Sequence, residues 1–289
     1  AIVTSLPEFI TSITSTIILN TPTLAFGNVF GSNLFNLLII VSIDLIFVKH
    51  LFFNKVTSGV KTSVLIISLY TIFLIPILLD TFTRFSLSQL TINIGMSFSI
   101  ISFIILALYA LSVKGMETDQ TEKVKKESSY QLKTIVTAFI MFGLIVVIAS
   151  YFITVITNDL ALKYNINTTF AGAIFLGIAT SLPELTAIIS LFKLRSYDIA
   201  LGNILGSNIF NMLIITSVDI IYFRENIFTR LTASPALSKN ISLLLILGLI
   251  NSIIVLVALM RKTPKSKGLY IIPSILIILS YGLYIGLSI

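Results

Sequence analysis

Two glutamates stand in identical surroundings in the two halves of this chain. Glu8 closes the run Thr4-Ser5-Leu6-Pro7-Glu8, and Glu184 closes Thr180-Ser181-Leu182-Pro183-Glu184. Both sit well inside apolar segments. A carboxylate there costs on the order of a few kcal/mol, so it is paired, protonated or turned to a wet cavity. Neither motif contains a lysine or arginine, which makes a cation the natural partner. The plainer alternative is a protonated glutamate that bonds neighbouring helices, and it would have to hold in both copies. Pro7 and Pro183 lack an N–H, so the carbonyls of Val3 and Ala179 lose their helical partners and a kink is expected at each. Freed carbonyls beside a carboxylate make an oxygen-rich, hard site suited to Ca²⁺ or Na⁺. Thr4 and Thr180 lie four residues before the glutamates on the same helical face, with Ser5 and Ser181 adjacent. For any one hydroxyl, back-bonding to the preceding turn competes with ligation.

A second motif is also doubled. Gly27-Asn28-Val29-Phe30-Gly31-Ser32-Asn33-Leu34-Phe35-Asn36 returns as Gly202-Asn203-Ile204-Leu205-Gly206-Ser207-Asn208-Ile209-Phe210-Asn211. The offset from Thr4 to Thr180 is 176 residues and that from Asn28 to Asn203 is 175, so the halves are an internal duplication. Asn28, Ser32 and Asn36, like Asn203, Ser207 and Asn211, follow an i, i+4, i+8 spacing that lines one helix face with polar groups. The paired glycines form small-xxx-small patterns that let helices approach closely. Asn33 and Asn208 point off the stripe and read as packing residues. Asp44 recurs as Asp219 near the ends of the same helices. Solvated helix ends are the simpler reading there, and attraction of cations to each mouth the functional one.

The elements that must hold these residues are membrane helices. Of 289 residues 56% are hydrophobic and 11% charged, with a mean hydropathy of +1.04, whereas a soluble domain carries roughly 25% charged residues. Cysteine is absent and His50 is the one histidine, which excludes disulfides and thiolate chemistry and argues against a histidine metal centre. Without a cysteine, a histidine near the motifs or a Ser–Lys dyad, the glutamates have no nucleophile to activate, so an enzyme is not expected. Apolar spans of bilayer length fall at about 22–48, 59–79, 87–112, 134–157, 168–192, 197–223, 239–260 and 268–288. Residues 1 to about 18 read as the second half of another helix. By comparison with the second half, about one and a half further helices are expected upstream of Ala1.

The fold class expected is an all-α polytopic membrane protein of two inverted-topology repeats with broken helices, eight full spanning helices plus a partial first one. Residues 1–113 form the first repeat, 114–133 a hydrophilic linker of mixed charge, and 134–289 the second repeat. With the linker cytoplasmic, Lys49, Lys55, Lys61, the linker lysines, Lys193, Arg195 and the Arg261–Lys267 cluster share its side. Arg84, Lys163, Arg224, Arg230 and Lys239 fall opposite. This bias puts the C-terminus outside and makes the halves inverted, and it accounts for the net charge of +7 without nucleic acid. A cell-membrane, multi-pass, monomeric protein is expected, in contact with lipid. Inverted repeats with polar residues in broken helices are the architecture of many secondary transporters. A cation channel could use the same ligands.

The doubled pairing of TSLPE with GNxxGSN resembles the calcium/cation antiporter superfamily, and most of all its prokaryotic sodium/calcium exchangers. The resemblance covers the whole chain. It implies two inverted groups of five helices, exchange of Ca²⁺ against Na⁺ by alternating access, and no cofactor besides the transported ions. It implies Glu8 and Glu184 as central carboxylates, with Thr4, Ser5, Thr180, Ser181, Ser32, Asn36, Ser207, Asn211 and the carbonyl of Gly177 as further ligands. Two positions depart from the family pattern. The glycine ahead of the first motif is Val3 or Ala179, and an acidic position of the second repeat is Asn211. Proton-coupled relatives carry glutamate in the second motif, where this chain has Gly-Ser-Asn. That favours Na⁺, although two buried glutamates could also exchange protons for Ca²⁺.

Overall fold

The computed structural model describes residues 4–47, 51–83, 86–93, 97–116, 132–222, 225–232, 234–261 and 266–288. Linker residues 117–131, together with Val3, Lys49, His50, Arg84, Arg224, Lys262 and Lys265, lie outside them. The described residues are mostly helical. In order come α1 (Leu6–Ile13, continued by a π-type turn, Thr14–Ile18), α2 (Pro22–Ile46), the short α3 (Phe52–Lys55), α4 (Val60–Phe82) and α5 (Ile100–Met116). The second half has α6 (Leu132–Lys163), α7 (Thr168–Ala171, continued by a π-type turn to Leu176), α8 (Gly177–Thr180) and α9 (Leu182–Lys193). It ends with α10 (Tyr197–Ile221), α11 (Ile227–Leu231), α12 (Pro235–Met260) and α13 (Lys267–Ser288).

Local chemistry sets these boundaries. Proline occupies the first turn of α1, α2, α9 and α12, where its missing N–H breaks no helical bond. Side chains of Asn167, Asn226 and Ser234 accept backbone N–H groups at the starts of α7, α11 and α12. Among the described residues six single helices are long and apolar enough to span a bilayer, and α7 through α9 make a seventh that is bent by 43°. The helices α1 with its π-type turn and α5 are shorter and apolar.

The count of eight full spans is therefore corrected at 87–112. Only its second part is helix. Leu87–Leu90 is one 3₁₀ turn, and Thr91–Asn93 pairs antiparallel with Ser97–Ser99 in a small hairpin (Ile92 opposite Phe98). Hydropathy could not reveal this, because the reason is polar. The Asp80 carboxylate accepts the Leu87 N–H at 2.8 Å, and Asp219 accepts the Ser99 N–H at 2.8 Å, so the backbone is satisfied without a helix.

The centre of the molecule is the crossing of α2 and α10, the most deeply buried spans. Around it pack α1, α12 and α13 on α2, and α4 on α12. The outermost helix is α6, with Ile140, Phe142, Ile145, Ile148, Phe152 and Ile156 exposed, as a lipid-facing helix requires.

Candidate cation site

The kink expected at Pro183 is present as a 43° bend between α8 and α9, whereas the one expected at Pro7 involves Val3 and lies outside the described residues. Ser181 (φ −87°, ψ 5°) interrupts the helical backbone between α8 and α9, and Ser5 (φ −91°, ψ 12°) has the same non-helical backbone at the matching place ahead of α1; the helix that follows each starts Leu-Pro-Glu. Glu8 and Glu184 thus enter in the first turn of α1 and α9, where free N–H groups and the helix dipole favour negative charge. Both glutamates are fully buried.

Their surroundings obey a pseudo-twofold rule that crosses the halves. The hydroxyls of Thr180 and Ser32 flank the Glu8 carboxylate without bonding to it. Those of Thr4 and Ser207 flank Glu184. Each glutamate therefore meets the serine of its own second motif and the threonine of the other half's first motif. Glu184 Oε1 accepts Ser207 Oγ at 3.2 Å and Ser5 Oγ at 3.5 Å, and Thr4 Oγ1 lies 3.4 Å from Ser207 Oγ. On the other side Ser32 Oγ donates to the Gly177 carbonyl at 3.3 Å and lies 3.2 Å from Thr180 Oγ1. Both Glu8 oxygens, Glu184 Oε2 and Ser181 Oγ are buried without a hydrogen-bond partner among the described residues.

Asn36 and Asn211 lie one helical turn further along. Their amides are oriented by Asn33 and Asn208, which the sequence suggested only for packing. Asn36 Nδ2 donates to Asn208 Oδ1 and Asn211 Nδ2 to Asn33 Oδ1, each at 3.0 Å. Asn33 and Asn208 in turn donate to each other's backbone carbonyls at 3.2 and 3.3 Å. Both Nδ2 groups of Asn36 and Asn211 are thereby turned away, and their Oδ1 atoms are buried without a partner among the described residues. The signal that could have found this clasp is the doubling itself, since Asn33 and Asn208 recur with the ligand candidates.

The remaining polar stripe is unequal. Asn28 is fully buried, accepting Thr180 Oγ1 at 3.2 Å and donating to Thr11 Oγ1 at 2.5 Å, whereas Asn203 is half-buried. Glycine packing is unequal too. A methyl group at Gly27 or Gly31 would run into the backbone of Thr169 or Ala173, so α2 and the α7–α8 segment touch backbone to backbone. Gly202 faces open space, so the close packing expected around it is absent.

Asp44 and Asp219 are not solvated helix ends. Both are fully buried. Asp219 accepts the Ser99 and Ile227 N–H groups and Ser102 Oγ (2.8, 3.2 and 2.7 Å), and Asp44 accepts Tyr270 OH at 2.5 Å and Ser274 Oγ at 3.2 Å. They tie helices together. An apolar crevice of about 250 Å³ opens beside the kinks, lined by Pro7, Ala179, Pro183 and α6 residues including Val146 and Ile153.

The sequence profile of the family described as "Sodium/calcium exchanger protein" matches residues 1–113 and 134–289. The inner membrane protein YrbG of Escherichia coli (strain K12) is 26% identical over 218 residues, which is 73% of this chain and 64% of that protein. The chain thus spans somewhat less than two thirds of the curated relative's length. Among solved structures, the crystal structure titled H+/Ca2+ Exchanger CAX superposes with a TM-score of 0.54 at 16% identity, over 99% of this chain and 78% of that one. At that identity the likeness is one of fold.

Proposed function

The chain belongs to the sodium/calcium exchanger protein family, and from that premise we propose that it exchanges Ca²⁺ for Na⁺ by alternating access, with Glu8 and Glu184 at the shared site. As a member of this family it is a multi-pass membrane transporter of cations and not an enzyme. The observation that carries the finer reading is the state of the glutamates. Three of their four carboxylate oxygens are buried without a partner among the described residues, in a shell of hydroxyls, one carbonyl and two amide oxygens. Such oxygens suit a hard cation.

Charge bookkeeping sharpens this. The two carboxylates balance one Ca²⁺ or two Na⁺, and a third Na⁺ leaves a net +1 that is costly at the midplane. Asn211 then imitates a permanently protonated aspartate, because its Oδ1 is available while its Nδ2 is fixed on Asn33. The remaining ligands in this reading are Thr4, Ser5, Thr180, Ser181, Ser32, Ser207, Asn36 and the Gly177 carbonyl. Residues 1–113 and 134–289 are inverted repeats joined by a cytoplasmic segment, with the C-terminus outside, as the lysine and arginine bias supports.

Proton coupling is the second reading, favoured by one observation: the glutamates themselves, buried with no cationic side chain in their motifs, are the groups that could take up protons. Asn36 and Asn211, as amides, cannot. Ca²⁺ uptake into proteoliposomes loaded with Na⁺ separates the two. Uptake that follows the outward Na⁺ gradient and is lost in Glu184→Gln supports Na⁺/Ca²⁺ exchange. Uptake that ignores Na⁺ and follows a pH gradient overturns it.

A further inference from the structure

Beyond Glu8, α1 continues the polar spacing that brought Thr4 beneath it. Ser12 and Thr16 follow at i+4 and i+8, so the three side chains run along one side of the helix. All three are fully buried. Both Glu8 oxygens, Ser12 Oγ and Thr16 Oγ1 have no hydrogen-bond partner among the described residues. Their neighbours behave otherwise: Thr11 Oγ1 donates to the Glu8 carbonyl at 2.9 Å and Ser15 Oγ to the Thr11 carbonyl at 2.7 Å. The hydroxyls in register with the glutamate are the unsatisfied ones. A buried hydroxyl left unpaired is costly, and two in line with an open carboxylate call for a ligand. The helix also widens into a π-type turn at Thr14–Ile18, a distortion that recurs at functional sites.

The second repeat is a built-in control. At the positions that match Ser12 and Thr16, α9 has Ile188 and Phe192, both buried in the apolar core. Phe192 stacks on Phe52 with ring centres 4.9 Å apart and meets Tyr197 edge-on at 5.4 Å. No π-type turn follows Glu184. The same helix face is therefore polar on the α1 side of the site and plugged by packed side chains on the α9 side.

We propose that Ser12 and Thr16 form a staging site for a monovalent cation, Na⁺ in the exchange reaction, between the paired glutamates and the Asn20 end of α1. The inference rests on the reading that Glu8 and Glu184 hold cations. Two neutral hydroxyls completed by water suit a singly charged ion. Ca²⁺ takes six to eight oxygens, several of them charged, and gains too little here to leave water. In the conformation described here Na⁺ reaches the glutamates along α1, while the matching route along α9 is closed by Ile188 and Phe192.

The chain has no cysteine, so single-cysteine variants report one position each. Ser12→Cys, Thr16→Cys, Ile188→Cys and Phe192→Cys in proteoliposomes are treated with a charged, membrane-impermeant methanethiosulfonate supplied on both sides. Ser12→Cys and Thr16→Cys are expected to react at least about tenfold faster than the α9 pair, because a wetted thiol ionises and a packed one does not. Na⁺, but not choline, is expected to slow their reaction about threefold or more at saturation, as an occupant of the site would. Equal reactivity of all four, or no protection by Na⁺, overturns the proposal. In flux assays Ser12→Ala combined with Thr16→Val should raise the Na⁺ concentration for half-maximal exchange about fivefold, with Thr16→Ser restoring most of it. An unaltered Na⁺ dependence in the double variant also overturns it. Absence of Na⁺-driven Ca²⁺ flux in the unmodified chain would instead sink the exchange reading, which the labelling arm does not depend on.

Discussion

Two pairs of repeated acids lie fully buried in this protein, and their oxygens are treated in opposite ways. Asp44 and Asp219 have both carboxylate oxygens engaged by N–H or O–H donors. Of the four oxygens of Glu8 and Glu184, only Glu184 Oε1 is engaged among the described residues. Asp219 bonds the first residue of α11, eight positions on, and fastens the hairpin to it. Asp44 acts at the matching place through Tyr270, whose hydroxyl also accepts the Phe53 N–H of α3 at 3.2 Å. A buried carboxylate with its acceptors filled is part of the framework. One with its acceptors open is a candidate for a ligand, and burial alone does not distinguish the two.

The sharpest way to break this contrast is to neutralise each pair. Glu184→Gln, or Glu8→Gln, should lower Ca²⁺ exchange by about 100-fold or more while leaving the folded protein as stable as before or more so, since an unpaired buried charge is removed. Flux together with thermal unfolding in nanodiscs checks it, and a strongly destabilised Glu184→Gln would refute the distinction. Asp219→Asn should do the reverse. Its new NH₂ group faces N–H donors, so stability should fall by about 2–3 kcal/mol with the ion dependence of any remaining flux unchanged. Asp44→Asn should show a milder loss of about 1 kcal/mol, because Tyr270 and Ser274 are rotatable hydroxyls that can donate to the surviving oxygen.

Asn208→Ala sharpens the comparison from the ligand side. It frees the Asn36 amide to flip, and the Ca²⁺ concentration for half-maximal binding should rise about tenfold, as loss of a positioning partner does at other ion sites. Calorimetric titration measures this, and an unchanged value would show that the asparagine clasp serves packing alone. The smallest effect is expected at Gly202→Ala. The added methyl meets open space, so stability should move by no more than about 1 kcal/mol, in the favourable direction given alanine's helix propensity. A large loss at Gly202 would mean that its face is covered.

Much of the site is legible in the amino-acid sequence, for a definite reason. Thr4, Glu8, Ser32 and Asn36 recur with their neighbours in the second half, and a carboxylate or asparagine in an apolar helix is too costly to recur without cause. Pro7 and Pro183 likewise announce the breaks, because a missing N–H acts on its own helix. Other features are hidden because they depend on partners distant in sequence. Asp219 reads as a helix end until Ser99 and Ile227 are brought to it. Asn33 and Asn208 read as packing until they are seen to exchange bonds across the α2–α10 crossing. The strand pair Thr91–Asn93 and Ser97–Ser99 reads as membrane helix because hydropathy counts side chains and takes no account of where backbone N–H groups find acceptors.

The sequence by itself determined a membrane-embedded, duplicated helical chain, the break ahead of Pro183 and the residue types of the candidate cation site. These follow from composition, local spacing and the covalent structure of proline, none of which needs a neighbour. Only the tertiary structure decided that each glutamate is served by the threonine of the opposite half, that the asparagine amides turn their oxygens free, and that the hydroxyls beyond Glu8 stay open while Ile188 and Phe192 close the other side. Hydrogen-bond partners and packing across hundreds of residues are fixed when the helices meet, and local pattern carries no record of them.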